Sequence, residues 1–565
     1  MPSQKLQDLL DQLDKIKNQF SPAETRLTLK LLNQVVRLKV DDAESLIRLH
    51  ELLLFLCAYP HSRQTLTLAN TILRKFHLRI TRLQQADVDL FTLEHPEFSG
   101  IVGLPVIDTF SYPIVRWLND YHPRQIDFYW EWFEDENRIA ESWPTLMPLL
   151  EEDASVEANV PYRRWLQTAR GMQSETAWLL DKYKHLALTE TLKSQIYNAQ
   201  NLYVRWRFAF GDSRSGLRYS VRKVFYHSGP LIQRREVSLI EELNKNTSGL
   251  HKLSAAKGRE AIHLARTAST VRYRELYGFT NGDPKAVYKA SLGRGVDLVV
   301  ITLPPEKRLP LRAYHAAMIY KNGVPVGYFE ALSLFERMES GFNLYYTFRD
   351  GETAWLYTQV LRTMRHLTGV TAFTLDPYQI GFENEEGIAS GAFWFYRKLG
   401  FRSMKRSIED LTKREEQKIA TRKNYRTSSA TLRRLAVAPM IFEMNEDRKG
   451  EWTHFQIRNV GFAMQRLMTK KFSGDAKKLR AHALDSMANV LGIDFPSFSD
   501  AQRKIFADFA AVLLLVPEFK RWSDDDKKLL KRIIEAKAYD DEGRYLKLMQ
   551  RHQRLRSEMI RLGRG

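Results

Sequence analysis

The sequence predicts an α+β protein in which a domain built on a mixed β-sheet, with flanking helices, lies between two large all-α regions. Three observations predict this: helical periodicity over the first 275 residues, short β-branched or alternating segments between about residues 290 and 375, and helical periodicity again after residue 405. We therefore divide the chain into a helical region 1–275, open to further division, a mixed-sheet domain 276–410 and a basic helical domain 411–565.

The helical regions are marked by helix-start signals. Ser21-Pro22-Ala23-Glu24 is a capping box with proline in the first helical turn, and leucines follow at helical spacing. Towards the other end of the chain, Ser499 and Ser523 are predicted N-caps of two long helices. These signals predict helices on both sides of the sheet domain.

The sheet domain is predicted from a run of short apolar segments. The dipeptide Asn322-Gly323 separates two of them and is the strongest hairpin signal in the chain. Gly369 is predicted to end a helix, and Gly400-Phe401 to close another. The predicted strands are 296–301, 313–320, 324–332, 341–347 and 370–375, and the predicted helices are 352–367 and 389–399, with a loop from 376 to 387 between the last strand and the last helix.

Composition excludes several classes of protein. The single cysteine, Cys57, excludes a disulfide framework and a cysteine-built metal site, and the 14 histidines show no metal-binding spacing, so we expect no metal. The first 20 residues mix Asp and Lys into every turn, unlike a secretory signal. No apolar run approaches the roughly 18 residues that a membrane span needs. These features predict a cytoplasmic protein without a membrane span.

The positive charge is concentrated in two places. The chain has 86 Lys+Arg and 67 Asp+Glu, a formal charge of +19, and residues 401–565 hold 36 of the basic and 22 of the acidic residues. A second basic segment, 203–235, interleaves arginines with aromatic residues and contains only one acid, Asp212. Segments 203–235 and 402–434 are therefore compatible with binding nucleic acid or another polyanion. The alternative interpretation is that these segments form helices whose arginines face solvent and whose aromatic residues are buried.

A candidate anion site follows the predicted strand 341–347. Gly351 lies where a helix opens, so backbone amides can point at an anion, and Arg349 adds a cation. This arrangement predicts a cradle for a pyrophosphate. Its candidate residues are Tyr346, Thr347, Arg349, Gly351, Glu352, Thr353 and Ala354.

The order of these elements resembles the GNAT acyltransferase superfamily over about residues 290–410. That family has a loop of pattern [QR]-x-x-G-x-[GA] between its fourth strand and third helix, and a later pattern N-x-x-A-x-x-x-Y-x-K-x-G-F. The later pattern is matched by Ala392, Tyr396, Lys398, Gly400 and Phe401, and the segment 322–327 is similar to the family's central hairpin.

The chain also departs from the family's patterns. Arg349 and Gly351 are one residue closer together than in the family's loop, and Ala354 comes one place later. Ala389 stands where the family often has asparagine. The segment 376–387 has the character of an insertion.

The resemblance implies an N-acyltransferase that moves an acyl group from acetyl-coenzyme A, or another acyl-coenzyme A, to an amine-bearing small molecule or protein by direct attack. It implies that Tyr396 protonates the leaving thiolate. The attacking amine needs a base, and the candidates are Glu330, Glu336, Glu339 and Asp376. We prefer Glu330 because its strand should end on the substrate side. A backbone N–H near Tyr345 or Tyr346 would meet the oxyanion.

Two other functions fit the same residues. Some proteins with this kind of domain use aminoacyl-tRNA as donor and have a weakened coenzyme-A loop, which agrees with the altered spacing of Arg349 and Gly351 and with the basic surplus. The third is a non-catalytic GNAT-like module that binds a partner within a helical scaffold. The sequence leaves the acyl group and the acceptor open.

Overall fold

The computed structural model describes residues 4–133, 139, 142–146, 162–247, 249–494, 497–539 and 541–565. These residues form two compact units. The first comprises the chain up to Pro230 together with His263–Thr280, and the second comprises Leu231–Ile262 together with Asn281–Gly565. One helix, Ala255–Thr270, contributes residues to both units, because the chain crosses from one to the other at Ile262.

The first unit is mainly helical but also contains a small sheet. Its strands are β1 (Val106–Asp108), β2 (Ile126–Phe128) and β3 (Val204–Trp206), and β3 pairs antiparallel with both others. The prediction of an all-α region 1–275 is therefore wrong, because three-residue strands are too short to show an alternating pattern. Its helices are α1 (Gln4–Ile16), α2 (Pro22–Val36), α3 (Ala43–Ala58), α4 (Arg63–Arg74), α5 (His77–Gln85), α6 (Tyr112–Tyr121), α7 (Trp143–Leu146), α8 (Tyr162–Ala169), α9 (Glu175–His185) and α10 (Glu190–Ala199).

Three further helices lie in the part of the sequence where the chain passes from one unit to the other. They are α11 (Leu239–Asn244), α12 (Ala255–Thr270) and α13 (Tyr277–Asn281). Helix α11 belongs entirely to the second unit, whereas α12 and α13 each have residues in both.

The second unit contains a mixed sheet of nine strands, in the order β11-β12-β10-β9-β8-β7-β6-β5-β4. Every pair is antiparallel except β9 and β10, which are parallel because a helix connects them. The strands are β4 (His251–Lys252), β5 (Val287–Gly293), β6 (Val296–Ile301), β7 (Ala313–Lys321), β8 (Val324–Leu334), β9 (Arg337–Leu344), β10 (Ala372–Leu375), β11 (Arg402–Ser403) and β12 (Met440–Glu443).

Several sequence predictions for this sheet are confirmed. Strands β6, β7 and β8 lie where they were predicted, and Asn322 and Gly323 both have positive φ in the turn between β7 and β8. The helix between β9 and β10, α14 (Thr353–Thr368), ends at Gly369, whose φ of 78° is left-handed. The observed sheet agrees with the mixed α+β class.

Other elements differ from the prediction. Strand β9 begins at Arg337 and ends at Leu344, earlier than the predicted segment 341–347. The predicted loop 376–387 contains the 3₁₀ turn Pro377–Ile380 and the start of α15 (Glu385–Ala389), and α16 (Ala392–Arg397) begins only after Gly391. Strand β12 lies in the region 411–565 that was predicted to be all-α, and it pairs with β10. That prediction is wrong because a four-residue strand gives little periodicity.

The remaining helices of the second unit share a hydrophobic core with the sheet. Ala313 and Leu334 of the sheet belong to the same buried cluster as Trp452, Phe509 and Tyr545. The helices are α17 (Arg406–Thr421), α18 (Ser429–Leu435), α19 (Ile457–Phe472), α20 (Ala476–Leu491), α21 (Asp500–Leu513), α22 (Asp524–Tyr539), α23 (Glu542–Met549) and α24 (Gln553–Arg564).

Candidate active site

Strand β10 pairs with only the first part of its parallel neighbour β9. They pair from Arg337↔Ala372 to Glu339↔Thr374. Strand β10 ends at Leu375, whereas β9 continues to Leu344, paired with β8 on one side and with no described strand on the other. We call the space between Ser340–Leu344 and the segment after Leu375 the strand gap. In the gap, the peptide of Phe342 is bound by the Gln379 side chain: the Phe342 N–H donates to Oε1 at 3.3 Å, and Gln379 Nε2 donates to the Phe342 carbonyl at 2.9 Å. One carboxamide thus replaces the missing strand.

Tyr396 lies beside the strand gap. Gln379 Nε2 donates a second hydrogen bond, 3.0 Å long, to the Tyr396 hydroxyl. The Tyr396 side chain is buried against Tyr357 and Phe401, with ring centroids 5.4 Å and 5.9 Å away. Burial raises the pKa of Tyr396, so the phenol remains protonated at neutral pH. The predicted proton donor is therefore connected to β9 through one side chain.

Glu330 faces a small cavity at the same gap. This cavity has a volume of about 240 Å³ and is lined by Tyr314, Glu330, Gly341 and Gln379, among others. The Tyr314 hydroxyl donates a hydrogen bond to the Glu330 carboxylate. Burial raises the pKa of Glu330, and the Tyr314 hydrogen bond opposes part of that shift. Glu330 and Gln379 thus line one cavity, the former on β8 and the latter after β10.

The other candidate bases lie in different surroundings. Glu336 is buried and accepts hydrogen bonds from the Trp452 indole at 2.8 Å and from Arg556 Nε at 2.8 Å, so its carboxylate is engaged in the core and it is not a base candidate. Glu339 and Asp376 line the small cavity, one on β9 and the other just after β10. Asp376 accepts the Tyr378 N–H at 2.9 Å, which starts the 3₁₀ turn that carries Gln379.

The Tyr345 N–H, one of the two predicted oxyanion donors, is already used in a hydrogen bond. The Tyr345 N–H donates to the Val326 carbonyl at 3.0 Å, within the pairing of β8 and β9. Tyr346 begins a 3₁₀ turn beyond the strand, and 60% of it is exposed. The N–H that faces the strand gap is that of Phe342. Sequence reasoning missed both Phe342 and Gln379, since neither lies in a recognisable motif.

The predicted pyrophosphate cradle lies at the start of α14. Glu352 is the N-cap residue, but its side chain does not bond the helix amides. Its fully buried carboxylate contacts Arg294 at 2.5 Å and Lys321 at 3.4 Å and accepts the Ile232 N–H at 3.1 Å. Burial lowers the pKa of Lys321 to about 8. The first amides of α14 therefore lack a side-chain cap from Glu352.

Arg349, the cation of the predicted cradle, already has hydrogen-bond and ion-pair partners within the protein. Arg349 Nε donates to the Leu344 carbonyl at 3.3 Å, and the guanidinium forms an ion pair with Glu386. It also lies over the Tyr346 ring, 5.9 Å from its centroid. The Thr353 hydroxyl donates to the Arg349 carbonyl at 3.0 Å. Thr347 and Ala354 are buried, Gly351 is partly exposed, and the structure brings all seven predicted cradle residues to one end of α14.

The basic segment 203–235 is partly neutralised within its own fold. In the first unit, Arg205 and Arg207 both pair with Asp127, at 2.5 Å and 2.7 Å, and buried Arg214 pairs with Glu51 at 2.7 Å. These three arginines stabilise the first unit, which weakens the argument that this segment is a polyanion-binding surface.

A group of three side chains in the first unit has the composition of a metal site. Among the described residues, this group consists of His122, Asp212 and His263, whose possible ligand atoms lie within 4.8 Å of one another. However, the Trp117 indole N–H donates to His263 Nδ1 at 3.1 Å. Burial lowers the pKa of His263 to about 4, so its ring is neutral at physiological pH. Because Nδ1 accepts the Trp117 hydrogen bond, the ring proton is on Nε2, which then has no free lone pair for a metal. This hydrogen bond disfavours metal binding.

Within the parts of the chain that the structure describes, no helix is both long and apolar enough to cross a membrane. The comparisons with protein-family models, with curated proteins and with solved structures found no match.

Proposed function

We propose that the second unit is an N-acyltransferase that transfers an acyl group from an acyl-coenzyme A to an amine by direct attack. The observation that carries this proposal is the strand gap. There β10 has ended while β9 continues, and the Phe342 peptide is bound by a side chain instead of a strand. The resemblance of residues 290–410 to GNAT acyltransferases supports the same reaction.

The gap suits the extended arm of coenzyme A. That arm contains amide groups, and an amide in extended conformation offers one donor and one acceptor to a neighbouring strand. Gln379 now makes that pair of hydrogen bonds with Phe342. A bound arm would displace it and donate an amide N–H to the Phe342 carbonyl, which leaves the Phe342 N–H for the thioester oxygen. The pyrophosphate would lie at the uncapped amides of α14, near Arg349.

The residues around the gap can supply each step. Glu330 accepts a proton from the substrate ammonium, and the free amine forms a bond to the thioester carbonyl carbon. The Phe342 N–H donates to the resulting oxyanion. When the C–S bond breaks, the thiolate takes the hydroxyl proton of Tyr396, which burial keeps protonated. The amide nitrogen loses its extra proton to solvent, and the amide product and the free thiol leave. Glu330 then releases its proton to solvent and Tyr396 takes one up, so the net reaction releases one proton.

Calorimetry of the full chain with acetyl-coenzyme A and longer acyl-coenzymes A tests the proposal. We expect binding that is weakened by Gly351→Trp, which obstructs the cradle, and by Arg349→Ala. Arg433→Ala is the matched control, because Arg433 pairs with Glu385 just as Arg349 pairs with the adjacent Glu386. Absence of binding to the intact protein, or equal binding by all variants, contradicts the proposal.

A different donor, aminoacyl-tRNA, is favoured by one observation. Arg349 is already paired with Glu386 and bonded to Leu344, which leaves the cradle short of a cation for a pyrophosphate. A tRNA donor would be held by the basic surface, and its affinity would fall steeply as salt is raised. Salt-independent or absent tRNA binding counts against this donor.

A non-catalytic role is favoured by the Gln379 side chain, which fills the strand gap. In that case, the unit would bind a partner without transferring an acyl group. The combined variant Tyr396→Phe, Arg349→Ala would then keep full biological activity, whereas a transferase would lose it.

A further inference from the structure

A second, larger cavity adjoins the strand gap in the second unit. Its volume is about 790 Å³, within the range of pockets that hold small molecules. Leu332, Glu339 and Asp376 line both this cavity and the small cavity that contains Glu330. The two cavities are therefore neighbours that share these residues as a common wall.

The larger cavity is strongly basic. Among the described residues, six cationic side chains line it, against the two carboxylates of Glu339 and Asp376. The six are Arg312, Arg337, Lys405, Arg406, Arg458 and Arg564. This excess of positive charge favours an anion and opposes a cation.

Several of these cations lack an anionic partner. No described carboxylate forms an ion pair with the side chain of Arg312, Lys405 or Arg406. These three come from the start of β7 and the start of α17, two elements far apart in the sequence. Charges of one sign that converge without partners repel each other, and a bound anion relieves that repulsion.

Arg337 is largely buried, with only 12% of its side chain exposed. Its guanidinium lies over the Phe455 ring at 5.4 Å and the Trp452 ring at 6.0 Å, which fixes its position. Its nearest carboxylate is that of partly exposed Glu339, 3.4 Å away, and its buried Nε has no hydrogen-bond partner among the described residues. Burial lowers the pKa of Arg337. A buried guanidinium with an unused donor is costly unless a ligand accepts from it.

We propose that the acceptor of the reaction is a small amine that also carries a phosphate or carboxylate group. This inference rests on the proposed function, because it places the amine at Glu330 and the anionic group among Arg312, Arg337 and Arg406. The nearby cations also disfavour a protonated amine, which helps Glu330 to obtain the nucleophilic form. Polyamines and lysine-rich proteins are therefore poor acceptors.

The test uses the full chain and three probes: O-phosphoserine (amine with phosphate), glutamate (amine with carboxylates) and spermidine (amine without an anion). We expect calorimetry to show binding of phosphoserine or glutamate, and their relative affinities to identify the preferred anion. Arg406→Glu should weaken that binding by about tenfold or more, the loss expected when a charge-assisted hydrogen bond is replaced by repulsion. A carboxylate is tolerated in the first turn of α17, where the helix dipole favours it.

Lys423→Glu is the matched control, because it changes the net charge equally at an exposed residue outside the cavity. Equal weakening by Lys423→Glu, tighter binding of spermidine, or no binding of either anionic probe at millimolar concentration overturns the inference. Acetyl-coenzyme A binding is measured in parallel. If it is absent while phosphoserine binds through Arg406, the anion site stands and the acyltransferase proposal fails. If acetyl transfer occurs onto spermidine in preference to the anionic amines, the acyltransferase stands and the anion site fails.

Discussion

Replacing Gln379 by alanine should change stability and ligand affinity in opposite directions. The Gln379 carboxamide makes three hydrogen bonds, two with the Phe342 peptide and one with Tyr396, of 2.9 to 3.3 Å. Each contributes a net 0.5–1.5 kcal/mol in typical cases, and water that enters the vacated space offsets part of the loss. We therefore expect Gln379→Ala to lower the free energy of unfolding by about 1–3 kcal/mol.

The same hydrogen bonds must break before another chain can occupy the strand gap. Their absence in Gln379→Ala should therefore strengthen acetyl-coenzyme A binding, by about 5- to 150-fold if the whole of 1–3 kcal/mol is recovered. Urea unfolding and calorimetry measure the two effects, and amide hydrogen exchange at Phe342 reports directly on the broken bond. Gln417→Ala, at an exposed position of α17, is the control and should change none of these quantities.

Two results would refute this reasoning. Unchanged stability and unchanged exchange at Phe342 would mean that the three hydrogen bonds contribute nothing. A loss of stability together with weaker or unchanged acetyl-coenzyme A binding would mean that the ligand does not displace Gln379, and the strand gap would no longer support the proposed function.

Three further predictions concern buried charges. Lys537→Met should lower the free energy of unfolding by about 3–5 kcal/mol, because it leaves the fully buried carboxylate of Glu542 without its cation. Adding Glu542→Gln should recover part of this loss. A loss below about 1 kcal/mol in urea unfolding would contradict the prediction. Tyr314→Phe should raise the pKa of Glu330 further, since it removes the hydrogen bond that favours the ionised form; carboxyl NMR titration should show this, and an unchanged titration would exclude the pairing. Lowering the pH from 6.5 to 4 should destabilise the first unit, because the pKa of His263 is about 4 in the fold and the unfolded chain binds a proton that the folded ring does not. The loss of unfolding free energy is about 1–2 kcal/mol once partial exposure of the ring is allowed for. Thermal unfolding of His263→Gln should show a smaller pH dependence than that of the parent protein.

The parts of the fold that the sequence predicts are those specified by neighbouring residues. The turn at Asn322-Gly323 needs only two residues with positive φ, and the end of α14 needs only Gly369, so both were predictable. Glu330, which was preferred as the base because of its place on the strand after this turn, lies on β8 and lines the small cavity. Its role as a base stays a prediction.

What the sequence did not predict depends on distant parts of the chain. Glu336 was a plausible base until the structure paired it with Arg556, 220 residues away. Strand β12 joins β10 across more than 60 residues, and its four residues carry no helical or alternating signature of their own. Gln379 lies in a segment with no motif, and its side chain bonds Phe342 at a point of β9 beyond the end of β10. Such pairings arise from tertiary structure and leave no local pattern.

The path of the chain has a consequence for any attempt to divide the protein. Because residues 231–262 belong to the second unit and 263–280 to the first, neither unit is one continuous stretch of sequence. A fragment beginning at residue 276 would lack β4 and α11, and one beginning at 231 would carry eighteen residues whose proper core is missing. Gene truncation therefore cannot yield either unit intact, and the two should be synthesised, purified and assayed as a single polypeptide.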